Sequence, residues 1–409
     1  MLSRRAFLKD GAFALVSLGF APSFLARTAY AQGRSGRQKQ LIAIFQRGAV
    51  DGLSVIVPFG EAEYYRARPS IAVGRPGSGS DTAVDLDGFF GLNPRLAPLK
   101  PFWDERALAI VHACGSPDST RSHFDAQDYM ESATPGVKST GDGWLNRCLQ
   151  VSTGARNPLR GVALARTMPR SLQGVAPALA FGSLDEFDVP GRAGTNFEDE
   201  YERSSDVRLG AAAGDAFAAM RTLRQAARTP YRPAQGVTYP PTPFGRALLE
   251  IARLAKADVG LEVAFTELGN WDHHVNEGAA TGQIATRLSE FSNGLAALAA
   301  DLADRLADTL IVTMSEFGRA VAENGNGGTD HGHGNAMMII GGGVRGGVHG
   351  TWPGLAPEQR FEGRDLAVTT DFRDVFGEIV VGHLGVPRES LATIFPGHVA
   401  TSTPGVLRA

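Results

Sequence analysis

The sequence predicts an α/β protein with a functional site at one edge of its sheet. Two observations support this fold class: short apolar runs alternate with longer helical segments, and polar clusters follow the runs directly. In the clearest case the apolar run 310–314 ends in Ser315-Glu316-Phe317. Short apolar runs bounded by glycine and polar residues are typical of buried strands. Polar residues at strand ends suit a site at the carboxyl edge of an α/β sheet.

The remaining elements follow from the same patterns, taken in chain order. Apolar, β-branched runs predict strands at residues 40–45, 53–57, 107–113, 260–266, 309–314 and 336–340. Amphipathic spacing predicts helices at residues 123–132, 211–228, 244–257, 284–307 and 371–384. The last helix opens with an acidic cap, and we expect Arg373 beside it to pair with a carboxylate. The helix at 123 opens with Ser122 and Asp125, which resembles a capping box.

The first 31 residues predict a signal peptide rather than part of the fold. Three signals occur in order: the twin-arginine motif Ser-Arg-Arg-Ala-Phe-Leu-Lys, a moderately apolar stretch at 11–25, and an Ala-Tyr-Ala cleavage site at 29–31. The apolar stretch is short and interrupted, so no stable membrane span is expected after cleavage. We expect the twin-arginine translocase as a partner during export, and a periplasmic or secreted protein. The alternative is an amphipathic N-terminal helix.

Charge and cysteine content narrow the possible functions. The chain has a formal net charge of −3, and removing the basic signal leaves it more acidic. An acidic protein without a basic run argues against nucleic acid as a partner. The two cysteines, Cys114 and Cys148, could pair in an oxidising compartment or remain buried thiols. Two cysteines are too few for a cysteine-based zinc site.

Residues 157–243 are predicted to form an insert or cap within a domain that spans residues 38–405. Residues 183–204 are polar and acidic, and a proline-rich connector follows at 230–243. The segment between them is rich in alanine and arginine with helical spacing. This composition differs from the strand-forming runs on either side.

Carboxylates and histidines follow the late predicted strands at a repeated spacing. Asp272 and His274 are two residues apart, as are His331 and His333, so each pair points the same way in an extended segment. Together with Glu316, such residues form a ligand set for Zn²⁺, Mn²⁺, Ca²⁺ or iron, since imidazole favours transition metals and carboxylate the harder ions. The alternative for each histidine alone is an ordinary hydrogen-bonding role.

Two further segments contain candidate catalytic residues. Ser122 at a helix start is either a cap or a nucleophile, because a helix N-terminus attracts phosphate or sulfate. Arg121 beside it suits a tetrahedral anion. The other two candidate catalytic residues are His123 and Arg319. Asp51 follows the first strand and is either a turn residue or the first carboxylate of a site.

Six segments together resemble the uncharacterised bacterial family called domain of unknown function 1501. They are SRRAFLK, RGAVDGLSVIVP, RSHFDAQDYMES, SEFGR, TDHGHGNAMMIIGGGVRGG and TDFRDVF, and the resemblance covers nearly the whole mature chain. That family is similar to the alkaline phosphatase and sulfatase superfamily. The resemblance implies a three-layer α/β/α sandwich with a mostly parallel central sheet and a metal site at its carboxyl edge.

The resemblance also implies roles for individual residues. The implied metal ligands are Asp51, Asp272, His274, Glu316 and one of His331 and His333, and the implied nucleophile is one of Ser119, Thr120 and Ser122. Ser122 is favoured because its place at the helix start puts its hydroxyl in the anion-attracting field. Phe317 stands where the superfamily has a ligand histidine, which calls one of two metal positions into question.

Two hypotheses follow. In the first, the protein is an exported metal-dependent hydrolase of phosphate or sulfate esters that uses Zn²⁺, Mn²⁺ or Ca²⁺ on a small anionic ester. Ser122 would attack or position the anion, Arg121 or Arg319 would bind its charged oxygens, and Asp330 would support the metal or ligate it. In the second, the protein is a non-catalytic binding or assembly protein on a degenerate fold, which Phe317 favours.

Overall fold

A computed structural model describes residues 38–154, 157–184 and 207–408 of the protein. The predicted signal peptide, at 1–31, and most of the acidic stretch of the predicted insert lie outside these residues. The large sheet contains nine strands: β1 Gln40–Gln46, β5 Leu108–Gly115, β6 Gly161–Leu164, β7 Leu179–Phe181, β8 Val263–Leu268, β9 Thr309–Met314, β10 Asn335–Gly341, β11 Gly347–His349 and β12 Thr370–Asp371. A small antiparallel sheet contains β2 Ile56–Val57, β3 Val84–Asp85 and β4 Gly91–Leu92.

The large sheet has the strand order β11-β5-β10-β9-β1-β8-β6-β7, and β12 pairs with β5. Strand β1 lies between β8 and β9 and is parallel to both, with Leu41 opposite Val263 and Leu310. Strands β6 and β7 continue the parallel arrangement. Strand β10 is antiparallel to both of its neighbours, β5 and β9. The amino end of β10 therefore lies at the same edge as the carboxyl ends of β1, β5, β8 and β9.

Ten helices connect these strands within the described residues. They are α1 Gly52–Val55, α2 Ala62–Ala67, α3 Lys100–Asp104, α4 His123–Ser132, α5 Trp144–Val151, α6 Val207–Arg228, α7 Pro243–Lys256, α8 Gln283–Asp301, α9 Phe372–Gly382 and α10 Leu391–Ile394. None of them is long and apolar enough to cross a lipid bilayer.

Helices cover both faces of the large sheet. Ile42 and Ile44 of β1 share one apolar core with residues of α7 and α8. Leu41, Ala43 and Phe45 share a second core with residues of α5 and α9. Successive strand residues point to opposite faces, so this alternation places β1 between two helical layers. The fold is thus a three-layer α/β/α sandwich with a mostly parallel sheet, as the sequence resemblance implies.

Three sequence predictions differ from the structure. Residues 53–57 are mostly helical, because Asp51 begins the short helix α1 before the two-residue strand β2. Part of the predicted insert belongs to the main sheet, since β6 and β7 pair at its edge. Ser122 begins α4 without a capping hydrogen bond from its side chain, so the capping box is not formed.

The structure also shows the state of the two cysteines and the partner of Arg373. Cys114 and Cys148 are buried free thiols rather than a disulfide. Arg373 pairs with Asp371, whose side chain also accepts from the backbone N–H of residue 373 and so caps α9.

Candidate metal centre

The residues of the candidate site come from five chain segments that meet at one edge of the large sheet. Four of these segments follow the carboxyl ends of β1, β5, β8 and β9, and the fifth precedes β10. Because β10 runs opposite to its neighbours, its preceding loop reaches the same edge. The fold therefore brings Asp272, His274, Glu316 and His331 close to His123, although up to 208 positions separate contacting residues in the chain.

At the centre, three imidazole rings direct their Nε2 nitrogens toward one another. The Nε2 atom of His331 lies 3.0 Å from Nε2 of His123 and 2.9 Å from Nε2 of His274. It also lies 3.2 Å from Oδ1 of Asp272, and the His274 Nε2 atom lies 3.0 Å from that same oxygen. Single donor atoms of His123, Asp272 and His331 all lie within 4.8 Å of one another.

The other ring nitrogen of two of these histidines already has a partner. Nδ1 of His331 donates to the backbone carbonyl of Arg121 over 2.9 Å, since a carbonyl can only accept. Nδ1 of His123 donates to Oε1 of Glu316 over 2.8 Å. In their neutral forms both rings therefore present an Nε2 lone pair to the centre. Two lone pairs about 3 Å apart repel unless a proton or a cation lies between them.

The pKa values of His123 and His331 shift in opposite directions. The hydrogen bond to Glu316 raises the pKa of His123, and burial only partly opposes it. Burial lowers the pKa of His331, although its bond to the Arg121 carbonyl opposes this. Neutral imidazole at both positions is the form that ligates metal ions.

Asp272 supplies a negative charge to the cluster. Partial burial opposes its ionisation, but the bond from Arg319, 2.5 Å from Oδ1, and the nearby histidines lower its pKa to about 2. Its side chain is 44% exposed and that of His274 is 40% exposed, so the cluster opens to solvent. Three imidazoles and one ionised carboxylate at these distances are a donor set that fits a divalent transition-metal ion.

Glu316 lies behind His123 rather than at the centre. Its Oε1 atom accepts hydrogen bonds from His123, from the backbone N–H of Gly48 and from the amide of Gln127, all within 2.9 Å. Burial opposes ionisation of Glu316, but these bonds lower its pKa. The sequence predicted a metal ligand here. The structure instead places the Glu316 carboxylate where it orients the ring of His123.

Phe317 is buried and contacts two histidines of the cluster. Its ring centroid lies 5.0 Å from that of His123 and 5.1 Å from that of His331. It packs with Ala49 and Ala126 in a small apolar cluster. Phe317 therefore provides an apolar floor that restricts how the two rings can tilt.

Arg319 is buried, and it organises the loops instead of facing solvent. Its guanidinium donates to the carbonyls of Gly48, Ala49, Trp271 and Thr329, and to Asp272. These bonds join the loops after β1 and β8 to the loop before β10. The prediction that Arg319 binds a substrate anion does not fit, because its donors are already engaged.

The segment before α4 also differs from its predicted role. The Arg121 side chain pairs with the buried Asp365 and with Glu362, so two carboxylates already neutralise it. Ser122 is exposed, and its backbone N–H donates to the hydroxyl of Thr120. Among the described residues, the hydroxyls of Ser119 and Ser122 have no hydrogen-bond partner. The geometry thus leaves Ser122 accessible next to His123, without an activating contact.

The remaining predicted ligands have other neighbours. Both carboxylate oxygens of Asp51 face the guanidinium of Arg68. His333 is buried and stacks on Phe361, with a centroid distance of 4.3 Å. Asp330 lies beside the cluster, with Oδ1 3.4 Å from Nδ1 of His274. Of these three, Asp330 alone contacts a histidine of the central cluster.

The central position of His123 was not predicted from the sequence, which suggested a catalytic role and not a metal donor. One feature of the sequence could have indicated this role. His123 follows the carboxyl end of β5, just as Asp272 follows β8 and Glu316 follows β9. Gln127 and Arg364 were also missed. Arg364 donates to the His331 carbonyl over 2.5 Å, and its side chain is 42% exposed.

A family model described as "Protein of unknown function (DUF1501)" matches residues 109–376. That range includes every residue of the central cluster. No curated protein matches the sequence.

Solved structures with a similar chain path include sulfatase-like and phosphatase-like enzymes. The structure of Ps i-CgsB in complex with k-i-k-neocarrahexaose has a TM-score of 0.37 and 11% identity, covering 86% of this chain and 73% of that one. The PsFucS1 sulfatase from Pseudoalteromonas sp. has a TM-score of 0.32 and 13% identity, covering 91% and 74%. Alkaline phosphatase from the Antarctic bacterium TAB5 has a TM-score of 0.30 and 11% identity, covering 75% and 92%. Similarities of this size transfer no activity.

Proposed function

This chain belongs to the DUF1501 family, which is described as being of unknown function, and we propose from its own site that it is a metal-dependent hydrolase of phosphate or sulfate esters. One observation supports this most directly. The Nε2 atoms of His123 and His331 and the Asp272 carboxylate lie within 4.8 Å of one another at a solvent-accessible edge of the sheet, and the Nε2 atom of His274 contacts that of His331. The Nδ1 atoms of His123 and His331 are already hydrogen-bonded on the other side of each ring. A structural histidine cluster would not need to be open to solvent.

The donor set favours Zn²⁺, with Mn²⁺ or iron next. Imidazole nitrogen suits these ions, whereas Ca²⁺ takes six to eight oxygen ligands. His123, His274, His331 and Asp272 would hold the ion. Glu316 would fix the ring of His123, and the Arg121 carbonyl would fix the ring of His331.

A bound divalent ion would polarise a phosphoryl or sulfuryl oxygen and lower the pKa of a water molecule or hydroxyl. The chain's own residues would orient the ester. Ser122 offers an exposed hydroxyl at the start of α4, where backbone N–H groups also face an approaching anion. Ser122 would therefore position the ester oxygens or attack the ester directly.

The charges around the site favour an ester with a single negative charge. Arg121 is neutralised by Asp365 and Glu362, and Arg319 is paired with Asp272. Arg364 is partly exposed near His331, but its Nε atom lies 3.5 Å from Oδ1 of Asp365, and Asp330 adds negative charge nearby. A sulfate monoester or a phosphodiester fits this balance better than a doubly charged phosphate monoester.

The experiment is to purify the mature protein, titrate it with Zn²⁺, and assay it against aryl sulfates, aryl phosphates and diaryl phosphates. We expect one Zn²⁺ per chain and metal-dependent turnover, faster with the singly charged esters. A protein that takes up no metal would disprove the metal-dependent function. Metal uptake without turnover of any ester would disprove the hydrolase function while leaving the metal centre intact.

A second function is favoured by one observation. Among the described residues no hydroxyl of Ser119, Thr120 or Ser122 forms a hydrogen bond with a histidine of the cluster. A metal-loaded binding or assembly protein would need no nucleophile. Metal-dependent capture of aryl sulfate without its turnover would support this second function.

We further propose export by the twin-arginine translocase to the periplasm or outside the cell. The support is the order of motif, apolar stretch and cleavage site in residues 1–31. Fusing residues 1–31 to a folded reporter tests it. Replacing both arginines, Arg4→Lys with Arg5→Lys, should then keep the reporter in the cytoplasm.

A further inference from the structure

A second group of ionisable side chains is buried beneath the loops that hold the candidate metal centre. Asp51 is 1% exposed, and both Arg68 and Glu277 are fully buried. Thr329 and Ser54, which contact them, are also fully buried. Bulk solvent therefore does not reach these side chains, and a polar atom left unpaired among them is costly.

Asp51 and Arg68 form a bidentate ion pair. The two terminal nitrogens of the guanidinium each face one oxygen of Asp51, with Nη2 3.0 Å from Oδ1. The remaining donors of Arg68 bind the carbonyls of Ala320 and Val321 and the hydroxyl of Ser54. The positive charge of Arg68 thus balances the negative charge of Asp51. All three nitrogens of the guanidinium already donate hydrogen bonds, so none is left for a second carboxylate.

Glu277 is the second carboxyl group, and one of its oxygens has no donor. Its Oε2 atom accepts from the Thr329 hydroxyl over 2.7 Å. Its Oε1 atom is buried and receives no hydrogen bond from any described residue. The Glu277 side chain lies within hydrogen-bonding contact of Asp51. As a carboxylate, Glu277 would bury an unpaired charge against a like charge, which is costly.

We propose that Glu277 is a neutral carboxylic acid whose proton bridges to Asp51, and that this acid pair positions the loops that carry Asp272, His274 and His331. A carboxylic acid offers one O–H donor and one carbonyl acceptor. The donor would face Asp51 and the acceptor would receive the Thr329 hydroxyl, so every polar atom of Glu277 gains a suitable partner.

The electrostatics agree with this assignment. Burial, followed by the negative charge of Asp51, raises the pKa of Glu277 well above its ordinary value. Burial also opposes ionisation of Asp51, but the Arg68 guanidinium more than offsets it and lowers the pKa of that carboxyl. The single shared proton therefore belongs to Glu277.

The acid pair lies where two loops are joined. The backbone N–H groups of Asn276 and Glu277 donate to the carbonyls of Asn326 and Gly327, at 3.0 and 2.8 Å. The N–H of Thr329 donates to the carbonyl of His273 over 3.0 Å. The side-chain hydrogen bond from Thr329 to Glu277 joins the same two loops. Loss of this bond would let the loop bearing Asp272 and His274 shift relative to His331.

The proposal rests on the proposed metal centre but not on ester hydrolysis. The test compares Glu277→Gln with Glu277→Ala in the full mature chain, with Glu358→Gln at an exposed position as the control for loss of one carboxyl group. Glutamine reproduces the donor and acceptor of the protonated acid, and alanine reproduces neither. We expect the glutamine variant to keep the thermal unfolding midpoint and the Zn²⁺ affinity to within about twofold. The alanine variant should lose Zn²⁺ affinity by about tenfold or more.

A glutamine variant as impaired as the alanine variant would overturn the proposal, because it would mean that the negative charge of Glu277 is needed. Infrared spectroscopy of the folded protein covers the case in which the alanine variant does not fold. The carbonyl band of a protonated carboxyl group should be present at neutral pH in the natural chain and absent from the glutamine variant. Absence of this band from the natural chain would also overturn the proposal. A chain that has the band but binds no Zn²⁺ would contradict the metal centre and leave the acid pair standing.

Discussion

The backbone carbonyl of Arg121 accepts a hydrogen bond from Nδ1 of His331 across 2.9 Å, although 210 positions separate the two residues. This contact joins the loop after β5 to the loop before β10, and it determines which ring nitrogen of His331 faces the cluster. A side-chain acceptor could be rotated or replaced, but a backbone carbonyl is fixed by the fold. In the proposed metal centre this contact would preorganise His331 to offer its Nε2 atom to the ion.

The central place of His331 gives the first prediction. Its Nε2 atom contacts His123, His274 and Asp272, so His331→Ala should abolish stoichiometric Zn²⁺ binding. The measurement is metal content after dialysis, together with a competition titration against a chelator. His349→Ala is the control, since His349 lies on β11 and its ring bonds the backbone carbonyl of Arg345. Equal metal content in both variants would show that the cluster is not the metal site.

The second prediction concerns the carboxylate behind His123. Glu316→Gln keeps the size of the side chain but removes the charge that holds Nδ1–H of His123. Loss of such a supporting carboxylate typically weakens metal affinity 10- to 100-fold, so we expect a fall of about that size in Zn²⁺ affinity. Chelator competition measures it, with Glu358→Gln as the control for charge. An unchanged affinity would mean that the negative charge of Glu316 is not needed to orient the ring.

The third prediction separates two roles for Arg319. If the residue bound a substrate anion, Arg319→Lys would retain the positive charge and leave the fold intact. The structure instead uses the planar guanidinium to join Gly48, Trp271 and Thr329, and an ammonium group cannot reach all of these carbonyls.

We therefore expect Arg319→Lys to lower the free energy of unfolding by about 3 kcal/mol, a size typical of broken buried ionic networks. Urea denaturation of the metal-free protein measures this. The exposed Arg246→Lys is the matched control. A fully stable lysine variant with impaired ester binding would restore the anion-binding role.

Much of the site's location could be predicted because it depends on local patterns. Polar residues after apolar runs predict one shared edge whenever the strands are parallel, and Asp272 and Glu316 follow this rule. The short distance between His123 and His331 depends on β10 running antiparallel, and apolar periodicity does not report strand direction. The structure thus brings together donors whose pairing was not visible in the sequence.

The roles of charged residues were harder to predict, for a different reason. Arg319 and Asp51 resemble an anion binder and a metal ligand by residue type and position. Their actual partners are backbone carbonyls and Arg68, which only tertiary packing brings into contact. Whether a guanidinium is exposed or saturated depends on burial, and sequence patterns describe burial of apolar residues far better than that of charged ones.

Gly48 provides the fourth prediction, because it allows the loops after β1 and β8 to approach closely. Its φ is +113°, and an added Cβ would lie 2.9 Å from the backbone nitrogens of Trp271 and Asp272. Gly48→Ala should lower the free energy of unfolding by about 2 kcal/mol and weaken Zn²⁺ binding, since Asp272 must move. Gly325→Ala is the control, as no atom lies within 4 Å of its added Cβ. Equal unfolding midpoints for the two variants would contradict this close approach.

The fifth prediction is a pH dependence of the folding stability that arises from Asp374, which is not part of the candidate metal centre. Asp374 on α9 accepts hydrogen bonds from His398, Thr401 and Ser402, and so fastens the C-terminal segment to the helix. Burial opposes ionisation of Asp374, but these bonds more than offset it and lower its pKa. The folded state therefore binds the proton more weakly than the unfolded chain does. The stabilisation is fully present above the unfolded pKa, about 4, and is lost as the pH falls through the folded value.

Asp374→Asn removes this contribution at every pH. At pH 7 we expect it to lower the free energy of unfolding by about 2 kcal/mol, as for a lost hydrogen bond to a charged group. The difference from the natural chain should shrink as the pH falls below about 4, because the unfolded chain then binds the Asp374 proton more readily than the folded state does, and it should vanish below the folded pKa. Denaturant unfolding at several pH values measures it, with the exposed Glu389→Gln as control. A difference that stays constant from pH 7 to pH 3 would mean that the charge of Asp374 does not hold the C-terminal segment.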